Sequence, residues 1–225
     1  MKTRAATSQT RPIAFTLVEL LVVVAILGIL ASLAATAIAR GATRAKRIQC
    51  ASNLRQIGLG LHSFAMDHRD AYPWQTAAEE GGTKDADFYS DHWLVLSNEL
   101  RSSRVFACPS DPTRTMATGV PDWDLLSPSY NLGKDASPLD PTSILATDRN
   151  LNDSIYELAA VPEAHWDREV AVMHTPDGGN GLTGDDGVRF WNDTKLRGAI
   201  ATVLTAGTTK TVEFLHPPGA IGVIR

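Results

Sequence analysis

The twenty residues from Leu20 to Ala39 carry no charge, and that run limits what the chain can become. At a rise of 1.5 Å per residue, about 20 apolar residues cover the ~30 Å hydrocarbon layer of a bilayer. A helix here is either a membrane span or part of an export signal. The stretch before it, Met1 to Ala14, is short, basic and contains serine and threonine, like the leading part of an export signal. An ordinary signal has a shorter apolar centre, roughly 7 to 15 residues, and a small-residue cut beyond it, for which Ala35-Thr36-Ala37 would serve. On composition that alternative stays open.

Two features favour a helix that is kept. Glu19 puts a carboxylate one turn inside the apolar run, where an ionised side chain is costly unless it reaches the headgroups or finds a partner. The helical pattern also continues beyond Ala39. Ile48, Ala51, Leu54, Ile57, Gly58, Leu61, Phe64 and Ala65 recur at three- and four-residue steps, with Asn53, Arg55, Gln56, His62 and Ser63 between them. The spacing predicts one helix from Phe15 to Met66, on the order of 78 Å long if unbroken, with Gly28 and Gly41 as its weak points for a bend. Asp70-Ala71-Tyr72-Pro73 ends it, because the residue before a proline is pushed out of the α region.

Charge divides the chain at the same place. The first 55 residues hold eight basic residues and one acid, and the rest hold 13 and 24, so the body stands at −11. An acidic body argues against nucleic acid or anionic lipid as its main partner and is compatible with cation binding. The basic residues after the span read as a solvated helix face, with a DNA-contacting stripe as the sharper alternative.

The octapeptide Ala14-Phe15-Thr16-Leu17-Val18-Glu19-Leu20-Leu21 resembles the processing site of type IV prepilins and type II secretion pseudopilins. The resemblance implies that a prepilin peptidase cuts between Ala14 and Phe15 and methylates the new amino group of Phe15. It also implies that Glu19, fifth in the mature chain, neutralises the terminal amine of a neighbouring subunit during assembly. The family usually has glycine where this chain has Ala14, so slower cleavage is expected. The implied partners are the peptidase, other pilin-like subunits through the N-terminal helix, an inner-membrane assembly platform, and lipid before assembly; no nucleic acid is expected. The implied location is the bacterial cytoplasmic membrane, crossed once, with the body outside. A count of basic residues, three before the span and four close after it (Arg40, Arg44, Lys46, Arg47), mildly favours the opposite orientation.

The expected fold is α+β and pilin-like: a long N-terminal transmembrane helix packed on a small antiparallel sheet with long loops. Its parts are a leader (1–14), the membrane part of the helix (15–39), an extramembrane amphipathic part (40–69) and a loop-rich globular β domain (70–225). Within the last, Ile144 to Thr147, Val170 to His174, Val188 to Trp191, Ala199 to Leu204 and Val212 to Leu215 read as short strands in an antiparallel meander. Turn residues separate most of them, as in Asp177-Gly178-Gly179-Asn180-Gly181. His92 to Arg101 reads as a further helix, and no 20- to 50-residue period marks a repeat array.

Several stretches also resemble a pilin-like subgroup whose C-terminal region carries a His-x9-Asp-Gly pattern. They are Arg47 to Gly58 around Cys50, Phe106 to Asp111 around Cys108, Ser129-Tyr130-Asn131, and His174 with Gly178-Gly179-Asn180. The match departs at the end, where eleven residues separate His174 from Asp186-Gly187.

Cys50 and Cys108 fit a bridge stapling the loop region to the helix, or two buried, separate thiols; the sequence does not supply the Cα separation a bridge needs. Asp177, Asn180, Asp185 and Asp186, with Thr183, offer the oxygen ligands calcium prefers, and secretion pseudopilins bind calcium in this region; an ordinary Gly/Asp turn is the other reading. No cofactor is required. An enzyme reading finds little to stand on. His62 and His68 lack a third ligand at a recognisable spacing, and no Gly-x-Ser-x-Gly, phosphate-binding Gly-Lys loop, His-Glu-x-x-His or Cys-x-x-Cys occurs. The five tryptophans (Trp74, Trp93, Trp123, Trp166, Trp191) read as core and loop packing. The resemblance to prepilins implies assembly into a pilus-like or pseudopilus filament. The alternatives are a membrane-tethered binding protein that never polymerises and an exported protein cut near Ala37.

Overall fold

A computed structural model describes residues 16–86, 89–100, 102–113, 128–152, 155–167, 173–174, 178–206 and 209–216. The leader, the Ala14–Phe15 junction, Trp123, Asp177 and most of the strand expected at Val170 to His174 lie outside them. The first element is a single helix, α1 (Leu17–Asp67), helical through both Gly28 and Gly41. The chain divides into two compact units, 1–42 and 43–225.

In the first unit every described residue of α1 is exposed, including Leu17, Val18, Leu21, Ile29, Leu33 and Ile38. An apolar helix with no buried side suits lipid or the flank of a like helix rather than water.

In the second unit the same helix is amphipathic. Cys50, Leu54, Ile57, Leu61 and Ala65 are buried at three- and four-residue steps, while Arg55, Gln56 and Leu59 between them are exposed. Arg69 and Asp70 take left-handed backbone conformations (φ 57° each), and the Asp70 N–H donates to the Ala65 carbonyl at 2.9 Å, closing the helix just before Pro73.

Six strands follow: β1 (Tyr130–Gly133), β2 (Ile144–Asp148), β3 (Ile155–Glu157), β4 (Gly179–Thr183), β5 (Val188–Trp191) and β6 (Thr211–Leu215). Every pairing is antiparallel, in the spatial order β3-β6-β1-β2-β4-β5. This is not the simple meander expected, because the last strand returns between β3 and β1. Helix α2 (Tyr89–Glu99) stands close to where the sequence placed a helix.

Two further expectations are corrected. Ala199 to Leu204 is not a strand but the second half of helix α3 (Asp193–Thr205). Ile200, Thr202 and Val203 favour strands by composition, but the Asn192 side chain accepts the Lys195 N–H at 3.0 Å and caps a helix start. Leu196, Ile200, Val203 and Leu204 then share one buried face.

The glycine-rich stretch read as a turn contributes β4. A Cβ on Gly179 would lie 2.5 Å from the Trp166 ring, and one on Gly181 2.0 Å from the Trp191 ring. These glycines let indoles lie flat on the strand, a use that sequence spacing does not reveal.

The sheet has a hydrophobic cluster on each side. On one, Cys50, Leu54, Ile57 and Leu61 of α1 pack with Trp93, Phe106, Tyr130, Leu132 and Leu182. On the other, Leu196, Ile200 and Val203 of α3 pack with Tyr156, Trp166, Trp191, Val212 and Phe214. Along β1 Tyr130 and Leu132 point to the first cluster, and along β6 Val212 and Phe214 point to the second. The described tryptophans are all buried, as aromatic packing predicts.

Candidate functional site

The start of α1 holds the first chemically distinctive group. Glu19 Oε2 accepts from the Thr16 N–H at 2.9 Å and from the Thr16 hydroxyl at 2.7 Å, while Thr16 Oγ1 accepts the Glu19 N–H at 3.2 Å. This reciprocal pair is a capping box, which satisfies helix-end N–H groups where no preceding turn does so. Its signature, Thr16-x-x-Glu19, stands in the sequence, where the charge of Glu19 is the more conspicuous feature.

A second concentration of polar groups lies in the body, between α1 and the sheet. Cys50 and Cys108 are joined by a disulfide whose Cα atoms are 5.1 Å apart, closing a separation of 58 residues. Beside it the Asn53 amide donates to the Ala107 carbonyl at 3.0 Å, a second tie between helix and loop. His174, held at φ 53°, brings Nε2 to 3.4 Å from Cys108 Sγ and to 3.4 Å from Asp148 Oδ2. Asp148 is fully buried; its Oδ2 accepts the Asn180 backbone N–H at 2.6 Å and the Asn180 side-chain amide at 3.0 Å. Its Oδ1 has no hydrogen-bond partner among the described residues.

Burial pushes the Asp148 carboxyl up to about 7, against the pull of the two Asn180 donors. Burial, together with the charge of Arg47, pushes His174 down to about 4. Arg47, which the sequence placed on a solvated basic face, is only half-exposed, with its guanidinium 4.0 Å above the Phe190 ring. Arg40, Arg44 and Lys46 are exposed.

The residues considered for calcium are engaged separately. Asn180 is buried against Asp148. Asp185 binds Arg189 through both oxygens, at 2.7 and 3.2 Å, and those hydrogen bonds hold its carboxyl well below the usual range. Asp186 Oδ1 lies 3.2 Å from His62 Nε2 on α1. A cation at Asp185 would have to displace Arg189, and Asp177 lies outside the described residues. His62 and His68 are half-buried, and His68 stacks on Phe64 with ring centroids 3.7 Å apart.

A third buried group braces the Cys108 loop. Arg149 Nε donates to Asp111 Oδ2 at 2.6 Å and Nη2 to Oδ1 at 3.0 Å, and Arg149 also donates to Thr113 Oγ1. Burial alone would raise the Asp111 carboxyl, but the guanidinium outweighs it and holds the group below its ordinary value. The sign follows: a depressed carboxylate stabilises the fold above about pH 3.8, and that contribution is lost as pH falls through the folded value. Acid titration of unfolding should therefore show a loss of stability below about pH 4 that is smaller in Asp111→Asn, which never makes the ion pair, than in the wild type.

A single apolar anchor helix carrying one carboxylate at its start, continued onto an antiparallel sheet, defines a pilin-like arrangement. Comparison with known families agrees: residues 14–35 match the prokaryotic N-terminal methylation motif, and residues 38–100 match a family described as a protein of unknown function (DUF1559). The matches and the arrangement fit a type IV pilin-like or pseudopilin-like protein with a prepilin-type N-terminus, and α1 is long and apolar enough to cross a membrane once. Neither curated proteins nor solved structures yield a match.

Proposed function

We propose that the chain is a filament subunit stored in the membrane: prepilin peptidase removes residues 1–14, and the exposed half of α1 then exchanges lipid for the helices of other subunits. The observation that carries this reading is the combination at one helix end of a methylation motif, a single carboxylate and an apolar surface exposed on every side. Helices so exposed gain by packing against like helices, and a carboxylate among them calls for a cationic partner, which a neighbour's new terminal amine supplies. The body, including the sheet and both of its cores, stands outside the cytoplasm in this reading, and the assembly platform is the partner that adds subunits. A pseudopilus used in secretion and a pilus used in adhesion would both employ this subunit. Mass spectrometry of the mature N-terminus tests the proposal: a methylated Phe15 is expected, whereas an intact Met1 would indicate a simple tether and a start near Ala37 an exported protein without an anchor.

A further inference from the structure

The buried group beside the disulfide contains more than a cross-link requires. One donor atom each from Cys50, Cys108 and His174 lie within 4.8 Å of one another, all three residues being buried. The Asp148 carboxylate approaches the same His174 nitrogen and has an oxygen with no hydrogen-bond partner among the described residues. A bridge between two cysteines explains neither the imidazole turned toward Cys108, held by a left-handed backbone at His174, nor the fully buried carboxylate behind it.

We propose that, when the Cys50–Cys108 bridge is reduced, Cys50, Cys108, His174 and Asp148 bind one zinc ion, so that bridge and metal are alternative states of one site. A dithiol reductant supplies two electrons: the Sγ–Sγ bond breaks, each cysteine sulfur gains a proton, and the reductant closes its own disulfide. Zinc binding then releases both thiol protons to water. Two thiolates, an imidazole and a carboxylate form a four-ligand set suited to zinc in its tetrahedral geometry. With Zn–S distances of about 2.3 Å the sulfurs must part to roughly 3.8 Å, a change made by the side chains of residues already facing one another.

Charge also balances. The divalent ion and Arg47 offset two thiolates and one carboxylate in a place where an uncompensated charge is costly. Two hydrogen bonds from Asn180 to Oδ2 fix the Asp148 carboxylate, as outer partners of a metal-binding carboxylate do. No local spacing marks this group, because the cysteines are 58 residues apart and His174 is another 66 beyond Cys108.

The inference is independent of filament assembly, and an unmethylated N-terminus would leave it untouched. The test uses the full chain in detergent, oxidised or reduced with a phosphine, titrated with cobalt(II) and then zinc. The reduced chain should take one equivalent of cobalt, with thiolate-to-cobalt charge transfer and the strong visible bands of tetrahedral cobalt, and zinc should erase both. The oxidised chain should show neither. His174→Asn, which tolerates the left-handed backbone, should bind at least roughly tenfold more weakly and with altered bands, and Asp148→Asn should weaken binding by about 10- to 100-fold. If the reduced chain loses its near-ultraviolet circular dichroism, zinc should restore it. Absence of the bands in the reduced wild type, equal binding by His174→Asn, or failure of zinc to restore a lost signal would each overturn the assignment.

Discussion

Glu19→Ala should remain in the membrane and fail to assemble. The uncharged run from Leu20 to Ala39 is untouched by the change, so insertion persists. What disappears is the only carboxylate among the first 66 residues. The structure adds a complication, because Glu19 also closes a capping box with Thr16, and alanine removes both roles. Two further variants separate them. Glu19→Gln removes the charge but keeps an acceptor able to complete the box, whereas Thr16→Ala opens the box and keeps the charge. If assembly depends on pairing with a neighbour's amine, Glu19→Gln behaves like alanine and Thr16→Ala still assembles. The reverse pattern would show that the helix start matters and the charge does not. Sheared-filament recovery alongside membrane fractionation reads both properties in one preparation, with the terminal mass confirming that each variant is processed.

Breaking the disulfide should cost about 4 kcal/mol for a separation of 58 residues in the chain-entropy account of cross-links. For a chain of this size that corresponds to a drop in melting temperature of roughly 10 °C. Cys50→Ser and Cys108→Ser should each show the loss, and the double variant little more, since either substitution alone removes the same bond. The bridge fastens α1 to the loop ahead of β1, beside the hydrogen bond from Asn53 to the Ala107 carbonyl. A melting temperature within a degree or two of the wild type would mean that packing of Leu54, Ile57 and Phe106 fixes the helix without it. The experiment belongs in metal-free buffer, so that loss of the bridge is measured alone.

The anchor and the helix beyond it were legible because each depends on near neighbours in the chain. A run of apolar residues, then a three- and four-residue rhythm, is the same whether or not the rest of the molecule is present. Three strands were readable for a similar reason: Ile144 to Thr147, Val188 to Trp191 and Val212 to Leu215 are short, β-branched or aromatic runs. β4 was hidden because its glycines answer to Trp166 and Trp191, one before it and one after it in the chain, which local pattern cannot bring together. α3 is obscured in the sequence because the β-branched composition of its second half favours a strand, while the Asn192 cap and the spacing of Leu196, Ile200 and Val203 favour the helix that forms.

By itself the sequence determined that the protein has an apolar anchor with an acid at its start, a processing motif, and an amphipathic continuation, because charge and hydrophobic rhythm act along the chain. Only the tertiary structure decided that β6 lies between β3 and β1, that α3 covers the sheet face opposite α1, and that His174 and Asp148 meet the Cys50–Cys108 bridge. Those relations join residues tens of positions apart, and burial of both sheet faces, rather than any local preference, brings them together.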